Sequence, residues 1–368
     1  MTATRILTKE ILTRGRDCAW RRPSEKSAAL ERMPSVAKGT ANMIKCAAVT
    51  RTDRVVIITD RETLKVGKGI ERAAASVGAT VEFIMMEELG ERPLTELPPK
   101  TAEKVRALNP TVSFLAATAK PGELGFRKPL MNMLVDEFKV RHVHMPTITQ
   151  EVAGGQAMCA DYAEVYRVTH AVMDAVKNAR AIKVITPLGT DITAKFDHAH
   201  TELNWYACDG KIQKQGMVSN LPDGEVFTTP LTVNGTFVTT VLGDYFAAKY
   251  GVLETPVTIE IKNGKAISVS CKNRALRKEL WAYLNNGKNT NRVGEFAIGT
   301  NVAVTRLIGN VLADEKAAGI HIAFGDPLGE ETGAKWKVNP IQHCDMITQG
   351  CTIVVDGRTI MENGKFLI

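Results

Sequence analysis

The residue types best suited to chemistry lie toward the carboxyl end of the chain. His343-Cys344-Asp345 stands in the stretch Asn339–Met346 (NPIQHCDM). In an extended segment, side chains two apart share a face with Cα atoms roughly 6.6 Å apart, close enough to reach one cation. An isolated His-x-Asp pair also describes an ordinary surface histidine beside an aspartate, so the neighbours decide its meaning. His321 lies in the apolar segment Gly319–Gly325 (GIHIAFG), where the plainer role is a core imidazole bonded to a carbonyl. Glu295 lies in Val293–Asn301 (VGEFAIGTN), and a carboxylate buried there is costly without a cation or donor. Glu225 follows a Pro-Asp-Gly turn and opens a strand in NLPDGEVFTTP. Each of these residues, taken singly, fits an exposed or capping position. Three carboxylates and two imidazoles in short Gly-flanked apolar segments are more than one mononuclear zinc site needs.

The elements that must position these groups divide near residue 180. Upstream, apolar β-branched runs alternate with amphipathic helices: strands at Arg54–Asp60, Thr80–Met86, Thr111–Ala116 and His142–Thr149, and helices at Thr63–Gly78, Ala102–Leu108, Lys128–Phe138 and Ala160–Asn178. Such alternation predicts right-handed βαβ units and a parallel sheet covered on both faces. Downstream the pattern is mostly β, with strands expected at Ala181–Thr186, Asp191–Phe196, Gly224–Thr229, Gly235–Leu242, Pro256–Ile261 and Ala266–Cys271. Asn263-Gly264, Asp356-Gly357 and Asn363-Gly364 are type I′ hairpin signals, because both central positions need positive φ. The expected fold is α/β: an amino-terminal parallel-sheet domain (1–180, with a basic helical extension over 1–50) followed by a β-rich α+β metal-binding domain (181–368).

Bulk properties exclude several classes. With 368 residues, 44% hydrophobic and 24% charged, the composition is that of a globular protein, not a disordered, collagen-like or coiled-coil one. Its apolar runs fall far short of the ~20 residues that cross a bilayer. Seven scattered cysteines without CxxC spacing argue against a disulfide framework or zinc ribbon. With no apolar h-region at the amino terminus, a cytoplasmic location is expected. The net charge of +7 is concentrated in the first 54 residues without interleaved aromatics, which favours an anionic small molecule over nucleic acid.

Several motifs carry a family resemblance. NLPDGEVFTTP, GEFAIGTN, the segment from Glu315 to Gly325 (EKAAGIHIAFG), the closing HCD and the GTDIT turn at 189–193 resemble, in order and spacing, the M29 metallo-aminopeptidases of the aminopeptidase T type. The resemblance implies that Glu225, Glu295, His321, His343 and Asp345 ligate two divalent cations (Zn, Mn or Co). Glu225 and Glu295 are then the catalytic carboxylates; spacing leaves open which of them bridges, and Glu295 is taken as the bridge. It also implies a homodimer and a small-molecule substrate. One departure stands out: the family's tyrosine seven residues after the histidine of the HxAxG-like motif is Leu328 here. That loss points away from peptides and toward a small cyclic or aromatic amide. The sequence also resembles a sister group on the same scaffold, the 2,5-dihydroxypyridine 5,6-dioxygenases, which use one Fe(II). A third possibility is a non-catalytic metal-binding protein. His142 and His144, at a strand end, and Arg292 are candidate substrate contacts, with Arg127 a further candidate for a substrate carboxylate. His198 and His200 form a second His-x-His pair with the look of a decoy.

Overall fold

The computed structural model describes residues 35–120, 122–243 and 245–368, so the expected helices of residues 1–34 lie outside the described residues. The described residues belong to one compact unit, Pro34–Ile368. A five-stranded sheet is parallel throughout, ordered Thr80–Met85, Arg54–Thr59, Val112–Ala116, Arg141–His144, Val218–Asn220. One face packs Val55, Ile57, Phe114 and Val143 against helices Val36–Cys46 and Leu64–Ser76. The other packs Val56, Ile58 and Leu115 against Pro99–Leu108 and Leu124–Met131. Burial on both faces is why these strands read as unbroken apolar runs. The outermost strand, Val218–Asn220, comes from beyond residue 180. The fourth is shorter than expected. It ends at His144 because Pro146 lacks a donor for the ladder and Thr147 has φ of 58°.

The second half builds two further sheets. Eight strands run in the order 265–270, 257–262, 232–239, 191–195, 181–185, 352–355, 358–362, 365–366, and six in the order 241–242, 343–349, 319–325, 293–299, 225–228, 206–208. All three expected hairpin turns have positive φ at both central residues. A single core is shared between these sheets: Ile182, Val184, Ile192, Phe237 and Ile259 from one, Val226, Phe296, Ile298, Ile322, Phe324 and Met346 from the other. Together with the parallel sheet this is the α/β fold the pattern predicts. Among the described residues no helix is long and apolar enough to cross a membrane.

Candidate metal centre

The six-stranded sheet has one greasy face and one polar face, set by alternation that holds from Glu295 onward, beyond an irregularity in register at Val293. In strands 293–299, 319–325 and 343–349 the residues Phe296, Ile298, Ile320, Ile322, Phe324, Cys344 and Met346 enter the core. The alternate positions are Glu295, Ala297, Gly299, then His321, Ala323, Gly325, then His343 and Asp345. Antiparallel pairing sets Glu295 opposite Ala323 and Ala323 opposite Asp345, Ala297 opposite His321, Gly325 opposite His343, and Gly299 opposite Glu225 of the next strand. Each of these polar residues thus has a small residue opposite it on one neighbouring strand, while His321 faces Ile347 on the other.

All five predicted residues meet there. His343 Nε2 lies 2.9 Å from Glu295 Oε2 and 3.4 Å from Asp345 Oδ1. His321 Nε2 lies 3.6 Å from both Glu295 Oε1 and Glu225 Oε2. Glu225, Glu295 and His321 form one group whose ligand atoms lie within 4.8 Å of each other, and Glu295, His343 and Asp345 form another. Glu295 belongs to both, one oxygen toward each histidine. His343 Nδ1 donates to the carbonyl of Asp326 at 2.9 Å, which leaves Nε2 aimed at the cluster.

The electrostatics are those of buried carboxylates packed against imidazoles. Burial would depress His321, but Glu295, Glu225 and Asp345 outweigh it and lift its pKa to about 9. His343 is likewise pushed down by burial and raised well above its usual range by Asp345 and Glu295. Glu295 is held far below the carboxylate range, because the two histidines overcome the opposing effect of burial. Glu225 Oε2 and His321 Nδ1 are buried without hydrogen-bond partners. Orphaned buried oxygens are costly, and imidazole and carboxylate donors suit Zn, Mn or Co. The residues present thus fit divalent-metal binding.

Three further groups lie within the quoted motifs, which give them no role. Glu315 joins His321 and Asp345 in a further ligand-type group. Burial lifts its pKa to about 7, Lys316 opposing and Glu225 and Asp345 reinforcing. Asp223 lies beside Glu225 and Cys208. Its pKa rises to about 6, chiefly from burial. Lys316 is 1% exposed and bonds Glu225 and Glu315. Adjacent Glu315-Lys316 charges opening an apolar GIHIAFG segment were the available signal.

The candidate substrate residues His142, His144 and Arg292 have partners of their own. His142 is fully buried, 2.7 Å from Ser113 Oγ and 3.3 Å from His144 Nδ1. Burial pushes its pKa well below the histidine range, and burial with Arg127 takes His144 to about 4. Neither histidine belongs to a ligand-type group among the described residues. Arg292 stacks over Trp336 at 4.2 Å and helps line a cavity of about 230 Å³. Its carbonyl accepts from Gly325 N, opposite His343. Arg127 has a buried Nε with no partner. His198 bonds Thr228 at 2.9 Å while His200 pairs with Asp197, so they form no joint site. Leu328 has φ of 51° and lines a cavity of about 550 Å³ with Asp326, whose carbonyl holds His343.

An α/β scaffold carrying paired histidines and carboxylates on the polar face of an antiparallel sheet defines a metalloenzyme-type centre. Residues 151–366, more than half of the chain, match the family described as thermophilic metalloprotease (M29), and the chain belongs to that family. Two solved structures share the fold. The 2,5-dihydroxypyridine dioxygenase from Pseudomonas putida KT2440 is 15% identical with TM-score 0.63, covering 90% of this chain and 96% of its own. Wild-type AmpT from Thermus thermophilus is 19% identical with TM-score 0.62, covering 90% and 99%. No curated protein matches the chain.

Proposed function

We propose that this protein is a two-metal hydrolase that cleaves an amide C–N bond in a small cyclic or aromatic substrate. The observation that carries the reading is Glu295 standing between two histidines, one oxygen toward each, with separate carboxylates completing either side. Glu225, Glu295 and His321 would hold one divalent cation, and Glu295, His343 and Asp345 the other. Bound there, the pair supplies Lewis acidity to a scissile carbonyl and lowers the pKa of water toward ~7. The chain's own part is orientation. Asp326 fixes the His343 ring through Nδ1, and Glu295 turns one oxygen toward each histidine. Having two Glu residues in addition to His343 and Asp345 favours this over an iron oxygenase, whose facial triad needs open positions rather than more carboxylates.

Leu328 sets the substrate class. It cannot donate a hydrogen bond to the oxyanion of peptide cleavage, and it places an alkyl side chain on the wall of a cavity shared with Asp326, whose carbonyl bonds His343. The wild-type protein is therefore expected to cleave amino-acid p-nitroanilides poorly and Leu328→Tyr to do so roughly 10-fold better, part of the 10²–10³ that one oxyanion donor is worth. Efficient cleavage by the wild type, with no gain in the variant, would remove the argument from Leu328.

A further inference from the structure

We infer that Lys316 is a positioning residue of the centre: its ammonium holds the outer oxygens of Glu225 and Glu315, so that Glu225 presents Oε2 to the cation position beside His321. This rests on the two-metal reading above. Lys316 Nζ lies 2.6 Å from Glu225 Oε1 and 2.7 Å from Glu315 Oε1, distances typical of charge-assisted bonds. With Oε1 taken, Oε2 is the oxygen left buried and unpartnered, 3.6 Å from His321 Nε2. A glutamate's terminal torsion is broad, so an unanchored Glu225 would sample other orientations. Lys316 fixes one.

The backbone that carries Lys316 is itself pinned over the sheet. Lys316 O accepts from Asn301 N at 2.8 Å, and Ala317 bridges Asn301. Gly299 permits the approach: a Cβ there would lie 2.0 Å from the Ala317 carbonyl oxygen. Charge balance agrees. Glu225, Glu295, Asp345, Glu315 and Asp223 gather around the centre. Two divalent cations would neutralise four of these carboxylates, and Lys316 balances the fifth.

The test is calorimetric titration of Mn²⁺ into chelator-stripped full-length protein. Wild type should take up two cations. Lys316→Met should weaken one site by roughly 10–100-fold, the range for loss of an outer hydrogen-bond partner, and leave the other as in wild type. Lys316→Arg, which keeps the charge and donors, should restore much of the lost affinity. Lys316→Gln, which keeps an N–H donor for Glu225, takes the place of the methionine variant should that fail to fold, with a loss of about 10-fold expected. Two sites of wild-type affinity in the folded Met or Gln variant would overturn the role given to Lys316. Fewer than two cations in the wild type would overturn the two-metal reading itself.

Discussion

At the carboxyl edge of the parallel sheet, Arg92 donates to both oxygens of Glu123 at 2.6 Å and to the Thr118 carbonyl at 2.7 Å, and it also bonds Asp60. Asp60 further accepts from Thr118 N and from the backbone and hydroxyl of Thr63. These bonds outweigh the opposing effect of burial and hold its pKa at about 2. On the polar face of the six-stranded sheet the buried charges are just as close, yet Glu225 Oε2 and His321 Nδ1 have no partner. Both regions bury carboxylates beside cationic groups. The first is satisfied by the chain alone, whereas the second leaves two of its polar atoms unpaired. Burial and ion pairing thus separate neither region from the other, but unpaired atoms do.

The comparison breaks first at Glu295. Glu295→Ala removes the carboxylate common to both ligand groups, and it is expected to cut metal affinity and turnover by more than about 100-fold, since outer-partner losses alone reach that range. Elemental analysis and turnover assays would show it; an unchanged metal content would mean that Glu295 is not a ligand. The converse variant is Arg92→Met. Leaving Asp60 and Glu123 buried and uncompensated should cost about 3–5 kcal/mol in denaturant unfolding, with metal content per folded chain unchanged. A metal loss in that variant as large as the one in Glu295→Ala would erase the distinction between the two regions.

How much of this was legible in the sequence follows from the same physics. Glu225, Glu295, His321, His343 and Asp345 could be picked out because each interrupts an apolar, Gly-flanked run, and alternation put them on one face. The parallel strands were legible as β-branched runs. The fifth strand was not: Val218-Ser219-Asn220 has only three residues and no apolar run, and only its partner Arg141–His144 gives it a place. The helix expected over Lys128–Phe138 begins earlier, at Leu124, and passes into a wider π turn at Asn132–Glu137, a change of hydrogen-bond register that apolar spacing does not encode. Lys316 was hidden for another reason. Lysines are almost always exposed, and only the close packing at Gly299 brings this one inside.

Metal analysis of the full-length protein purified without chelator decides between two cations and one. If Glu225, Glu295, His321, His343 and Asp345 hold a cation pair, the protein carries about two equivalents of Zn, Mn or Co per chain. One equivalent of iron, with oxygen-dependent turnover of a dihydroxypyridine, rules the pair out.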